Sequence, residues 1–130
     1  MENLFVQSTD SSPEIQFKIE SNVFTIVGES CMSDANVFYA PVLDWLRSYS
    51  NEVNSSMMFN FHFSAISQSS MKMLLFVCQE IKSMQIDGNQ IDISWCYSKD
   101  SEELKEIGQD ISYMTELDFS YQEVEEMEMA

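Results

Sequence analysis

Ile15, Phe17 and Ile19 alternate with polar neighbours, as in a half-buried strand. Residues 23–27 predict a second strand, and the turn pair Ser21-Asn22 between them makes the two a hairpin. Residues 28–36 are polar and predict a loop, with Asp34 or Asn36 capping the next element. Phe38, Val42, Trp45, Leu46 and Tyr49 then recur at helical spacing. Pro41 fits only near the start of that helix, where a missing N–H costs little. Residues 50–55 predict a turn.

Residues 57–63 set Met57, Phe59, Phe61 and Phe63 against Met58, Asn60 and His62, a strand with one strongly apolar face. A polar turn over residues 64–70 leads into a long helix, from about residue 69 to 85. Its buried side carries Met71, Leu74, Leu75, Cys78, Ile81 and Met84, and Asp87-Gly88-Asn89 stops it. Ile91, Ile93 and Trp95 alternate again. A third helix starts at Asp100 and Ser101, with Leu104, Ile107, Ile111 and Met114 as its apolar stripe. Glu103 lies three residues after Asp100, in capping-box spacing. Residues 117–124 predict a last short strand, and residues 125–130 an acidic tail. Residues 1–10 predict a loose N-terminus, and the Ser, Thr and Asp of residues 7–13 a loose lead-in.

The order β-β-α-β-α-β-α-β predicts an α/β fold. A four- to five-stranded mixed sheet is expected, with helices packed on it and right-handed crossovers. Residues 1–130 suffice for one core and not for two ordinary domains. No internal repeat or linker interrupts them. Trp45 and Trp95 fall on apolar stripes and are expected to serve the fold rather than a ligand.

Charge narrows the partners. The net charge is -16, with six Lys and Arg. That field repels phosphodiester backbones and anionic headgroups, which argues against nucleic acid and membrane surfaces and for basic patches on proteins. Residues 1–10 do not resemble a secretory leader, since Glu2 is followed by no apolar core. The longest apolar run, residues 73–78, is too short to span a bilayer. Cys31, Cys78 and Cys96 are odd in number and widely spaced, so neither a disulfide framework nor a zinc pattern emerges. Cys78 and Cys96 read as small core residues, and reduced thiols point to the cytoplasm.

Signals for catalysis are thin. His62 stands alone on the polar side of a strand, so no Ser–His–Asp or Cys–His set presents itself. Gly28, Gly88 and Gly108 are isolated and make no phosphate-cradling loop. The carboxylates are spaced as solvated surfaces. No catalytic residue, metal site or cofactor is therefore assigned. Ten methionines suit core filling and also an adaptable binding surface. The serine-rich turn of residues 64–70 is the most informative feature. It runs from a strand into a helix N-terminus, whose free N–H groups attract anions. A phosphate on Ser67, Ser69 or Ser70 would be held there, although the same serines also make good caps and turns.

Several stretches together resemble the SiaC-type regulatory phosphoproteins of bacteria. Ser11-Ser12-Pro13-Glu14-Ile15 is similar to that family's Ser-Thr-Pro-Glu-Ile opening. Gly28-Glu29-Ser30, followed by Asp34, resembles its Gly-Glu-Ser-Tyr-Pro-Glu-Asn loop, with Cys31-Met32-Ser33 in place of Tyr-Pro-Glu. Phe38-Tyr39-Ala40-Pro41-Val42-Leu43-Asp44-Trp45-Leu46 is similar to Phe-Tyr-x-Pro-Ile-Leu-x-Trp-Leu. Ser69-Ser70-Met71-Lys72-Met73-Leu74-Leu75 resembles the end of Phe-Asn-Thr-Ser-Ser-x-Lys-x-Leu-Leu. Trp95-Cys96-Tyr97, followed by Asp100, resembles Trp-Tyr-Tyr with its following acidic run, and Gly108-Gln109-Asp110 resembles Gly-Glu-Asp.

The resemblance implies a STAS-like fold, that of anti-sigma-factor antagonists, and a role in bacterial signalling by partner switching. In such a scheme a kinase phosphorylates the Thr of Asn-Thr-Ser-Ser and a PP2C-type phosphatase removes the phosphate. The unmodified form binds an effector such as a diguanylate cyclase. Here the family Thr is Gln68, which has no hydroxyl. Ser67, Ser69 and Ser70 remain as acceptors, or the chain is a constitutive adaptor without a switch. A small ligand-binding domain or enzyme on the same fold is the third reading. The expected binding face comprises Ser67, Gln68, Ser69, Ser70 and Lys72, with Glu29, Ser30 and Asp34 from the preceding loop.

Overall fold

Alternation along the strands sorts side chains onto two unlike faces, and the helices cover only one of them. The computed structural model describes residues 1–50 and 56–125. Within these, β1 (Leu4–Val6), β2 (Glu14–Lys18) and β3 (Val23–Ser30) precede α1 (Ala35–Ser50). Then follow β4 (Ser56–Ile66), α2 (Gln68–Ile86), β5 (Gln90–Ser98), α3 (Glu102–Thr115) and β6 (Phe119–Val124). The strands form one sheet in the order β1-β2-β3-β4-β5-β6. The first two pairings are antiparallel and the last three parallel, so each helix crosses between adjacent parallel strands.

The mixed α/β architecture was legible, but the sheet has six strands rather than four or five. The extra strand is β1, inside the segment expected to be loose. Three residues are too few to display an alternation, yet Leu4 pairs with Phe17 and Val6 with Ile15. The polar lead-in is also less loose than expected: Ser12 and Pro13 are buried.

One face of the sheet carries Ile15, Phe17, Phe24, Ile26, Met57, Phe59, Phe61, Phe63, Ile93 and Trp95, all buried beneath the helices. Phe17, Phe24 and Phe59 form a ring cluster with Trp45 and Tyr49 of α1. Phe61, Phe63 and Phe119 surround Trp95. Trp95 donates from Nε1 to the Leu104 carbonyl at 3.0 Å, fixing α3 to the sheet. Trp45 is only half-buried and donates from Nε1 to the Glu2 carbonyl at 2.8 Å. Both tryptophans thus sit in the packing between helix and sheet.

Several local expectations need correction. Pro41 lies inside α1, the seventh of its 16 residues, rather than near its start. Cys96 is not a core residue: Trp95 occupies the helix-facing side of β5, so Cys96 points to the open face and is half-buried. Asp100 does not cap α3. The N-cap is Ser101, without a side-chain bond, because Asp100 is held in a turn by Ser98 Oγ. The polar turn of residues 64–70 is mostly regular structure: β4 runs to Ile66 and α2 begins at Gln68. Met71 and Leu75 on α2 are half-buried rather than core. Of the expected turn at 50–55, Ser50 ends α1 and residues 51–55 lie outside the described residues; of the tail at 125–130, so do residues 126–130.

Candidate functional site

Parallel β3 and β4 end side by side, so the loop after β3 and the start of α2 share one edge of the sheet. Ser30 pairs with Ile66, and the Ser67 N–H continues the ladder by donating to the Ser30 carbonyl at 2.9 Å. Ser67 then has extended backbone, and its carbonyl accepts the first helical bond, from the Met71 N–H. Its Oγ accepts from the Ser70 N–H at 3.2 Å. Ser67 is therefore a side-chain N-cap, satisfying one of the free donors at this helix end.

A chain of hydroxyls runs inward from that cap. Ser67 Oγ donates to Ser70 Oγ at 3.1 Å, and Ser30 Oγ lies 2.9 Å from Ser70 Oγ. Ser30 Oγ in turn lies 2.7 Å from the Tyr39 hydroxyl on α1. Ser30, Ser70 and Tyr39 are wholly buried. Burial pushes the Tyr39 hydroxyl well above its ordinary value, outweighing the opposing bond from Ser30, so Tyr39 stays neutral. The Met32 sulfur closes the cluster, 3.4 Å from Ser70 Oγ. The network ties β3, α1 and α2 together at the place where the helix end is exposed.

Ser69 is the outward-facing member. It is exposed, lies 3.2 Å from Ser67 Oγ and donates to the Met32 carbonyl at 3.4 Å. Gln68 is exposed too, at the first helical position. Ser70 is enclosed, so a kinase could reach it only after the helix start opened. Lys72 is exposed and has no ion pair among the described residues.

Beside this helix end, α1 and α2 leave an open groove of about 570 Å³. Ser33, Ala35 and Asn36 line its upper end with Ser69 and Lys72, and Leu43, Met73, Phe76 and Arg47 line the rest. Phe76 is 40% exposed, large for an aromatic ring at a helix–helix seam. Arg47 is engaged by Glu80 at 2.8 Å and by Asp44 at 3.9 Å. Sequence reasoning did not find this groove. Phe76 lies off the apolar stripe of α2, and only the seam with α1 gives it meaning.

The expected site is thus assembled in part. Ser67, Ser69, Ser70 and Ser30 touch directly, and Ser69 and Lys72 share the groove. Glu29 and Asp34 lie on the same edge, but among the described residues no hydrogen bond joins their side chains to α2. Asp34 starts α1 instead through its carbonyl, which accepts from Val37 and Phe38. The neighbouring Cys31 thiol is exposed and raised above its ordinary value, by burial first and by the Glu29 charge second, which disfavours the reactive thiolate. His62 is half-buried on the open sheet face, its Nε2 buried without a hydrogen-bond partner. Among the described residues no group of three or more His, Cys, Asp or Glu is placed to hold a metal ion. No helix among them is long and apolar enough to cross a membrane.

Comparison with known proteins agrees with this architecture. The family profile of the SiaC family regulatory phosphoproteins matches residues 6–124. An uncharacterised protein of Pseudomonas aeruginosa strain UCBPP-PA14 is 18% identical over 110 residues, 85% of this chain and 87% of its own length. The crystal structure of apo-SiaC from Pseudomonas aeruginosa superposes with a TM-score of 0.86 at 17% identity, covering 94% of this chain and 99% of the other. A chain in the crystal structure of the diguanylate cyclase SiaD with its activator SiaC, from the same organism, gives a TM-score of 0.86 at 17% identity. There the coverage is 93% and 99%.

Proposed function

We propose a function from one premise: the chain belongs to the SiaC family of regulatory phosphoproteins. The family is regulatory rather than catalytic. The chain then acts by binding an effector protein, of the diguanylate cyclase class, through the exposed start of α2 and the groove beside it. The observation that carries this reading is the continuity of that surface. Ser69 and Lys72 belong both to the helix end and to a groove walled by Leu43, Met73 and Phe76. Apolar walls with a few polar anchors suit a protein segment better than a small polar substrate.

Regulation follows from Ser69. Its hydroxyl is the accessible one on the first turn of α2, and a phosphate there would lie against free N–H groups and the positive helix end. We assign Ser69 as the phosphoacceptor, with a kinase and a PP2C-type phosphatase as the opposing partners. Gln68 favours a second reading, a constitutive adaptor, because the position of the family Thr carries no hydroxyl.

One experiment separates the two. The chain, Ser69→Ala and Gln68→Thr are each incubated with a SiaC-family kinase and ATP, and intact mass is read. One added phosphate on the chain, absent from Ser69→Ala, supports the switch. Phosphate on Gln68→Thr alone supports the adaptor. Effector binding is then measured by titration against a diguanylate cyclase encoded in the same genome. Unchanged binding after Phe76→Glu and Lys72→Glu would remove the groove from the interface.

A further inference from the structure

No helix among the described residues covers the sheet face opposite α1, α2 and α3, and most of its side chains are half-buried. Its middle rows are nearly free of charge in a chain of net charge -16. One row pairs Gln16, Thr25, Asn60 and Ser94 across β2 to β5. The next pairs Glu14, Val27, His62 and Cys96. At the opposite end of the face a third row reads Lys18, Val23, Met58, Asp92. Met58 is 37% exposed, and Phe5 on β1 is 60% exposed. Lys18 and Asp92 are exposed, and neither has an ion pair among the described residues.

We propose that two copies of this chain pack open face to open face, about a two-fold axis running along the strands between β3 and β4. That axis is the midline of the six-stranded sheet. Rotation about it exchanges β2 with β5 and β3 with β4. Lys18 then lies over the partner's Asp92, and Asp92 over the partner's Lys18. Val23 meets the partner's Met58. Thr25 meets the partner's Asn60, a pair able to hydrogen-bond, whereas Ser94 is only 3% exposed within its own chain and leaves Gln16 to the rim of the contact. The charge pattern is therefore self-complementary, as an isologous interface requires.

The remaining carboxylates fit the same operator. Glu14 falls opposite the partner's Cys96 and Glu29 opposite the partner's Ala65, so no carboxylate is set directly on another. Strands of the two sheets run in the same direction, the aligned packing that twisted sheets adopt. A footprint of six strands about 4.8 Å apart is on the order of 500 Å² per copy. Two copies lose on the order of 1,000 Å² in total, near the lower limit for a specific interface. The dimer is accordingly weak and concentration-dependent. A second copy is the occupant that the Lys18 and Asp92 pattern selects, since elsewhere two such acidic surfaces repel.

Sedimentation equilibrium on the full chain at physiological salt tests this, with circular dichroism confirming that each variant folds. The chain should show a concentration-dependent monomer–dimer equilibrium. Lys18→Glu and Asp92→Lys should each weaken it roughly tenfold, because two symmetry-related pairs become repulsive. The double variant Lys18→Glu/Asp92→Lys should restore it. Met58→Glu should abolish it. A chain that stays monomeric throughout overturns the proposal, and effector binding then lost in Met58→Glu would assign the face to the effector instead. A dimer indifferent to Met58→Glu uses another surface, and failure of the charge swap to rescue refutes the axis.

Discussion

Gly108→Ala exchanges a poor helix former for the best one, yet it should destabilise the protein. In an exposed helix the change would gain about 1 kcal/mol. Gly108 is buried on α3 against the Trp95 indole. A methyl carbon there would lie 2.5 Å from Nε1, 2.6 Å from Cε2 and 2.7 Å from Cδ1. Carbon contacts are comfortable at about 3.5–4.0 Å, so a gap of about 1 Å must open. The indole has little room to retreat. It is 1% exposed, stacked on Phe119 at 5.7 Å and held by its bond to the Leu104 carbonyl. Overpacking of this kind costs about 1–3 kcal/mol, and a strained Trp95 bond adds about 1 kcal/mol. The net loss expected is about 1–3 kcal/mol. Urea unfolding followed by circular dichroism measures it, with exposed Gln109→Ala as the helix-propensity control. Trp95→Phe should recover part of the loss when combined with Gly108→Ala, because the smaller ring frees the space. A Gly108→Ala protein more stable than the parent would refute the reasoning.

The two tryptophans should differ in cost. Trp95→Ala should lose about 3–5 kcal/mol in urea melts, and half-buried Trp45→Ala less, about 1–3 kcal/mol. Trp45→Ala should also release β1, read as faster amide exchange at residues 4–6, because the bond to the Glu2 carbonyl is gone. Equal losses would show that the ring cluster around Trp45 is as closed as that around Trp95. His62 gives a pH dependence. Burial holds its imidazole below the ordinary 6.5, so the folded state prefers it neutral and the unfolded chain takes up the proton first. Its contribution is present above 6.5, is lost as pH falls through that value, and levels off below the folded value. The difference in urea midpoint between the parent and His62→Asn should therefore change between pH 7.5 and pH 5. A constant difference would mean that His62 titrates alike in both states.

The long elements were legible because each repeats one period over many residues. β4 shows two faces at once, and α2 and α3 each carry a stripe that meets the sheet. What escaped depends on pairing between distant segments. β1 has only three residues, and its Leu4 and Val6 become informative only beside Phe17 and Ile15. Ser64, Ala65 and Ile66 read as a turn by composition. They stay extended because β3 continues alongside them, past an irregularity at Gly28 and Glu29 where Ser64 has no partner. The serines after them look equivalent in sequence. The helix separates them, turning Ser70 inward to Ser30 and Ser69 outward to solvent. The family resemblance led to the same helix end and could not make that distinction, which is set by the rotation of α2 about its axis.

Charge and geometry together bear on how a phosphate at Ser69 would act. Adding about two negative charges to a chain at -16 hardly alters the field a distant partner feels. The effect must lie within the groove. Arg47 there is already engaged by Glu80, whereas Lys72 has no ion pair among the described residues. Lys72 follows Ser69 by three positions on one helix, so the two side chains share a face. On the proposed reading, a phosphate on Ser69 holds Lys72 and the helix-end N–H groups at once. It withdraws the groove's unengaged cation and crowds its upper end in the same step. An effector segment that fits the groove should then bring apolar residues for Leu43, Met73 and Phe76, and an acceptor for Lys72. Its basic residues belong outside the groove, where they meet the acidic surface.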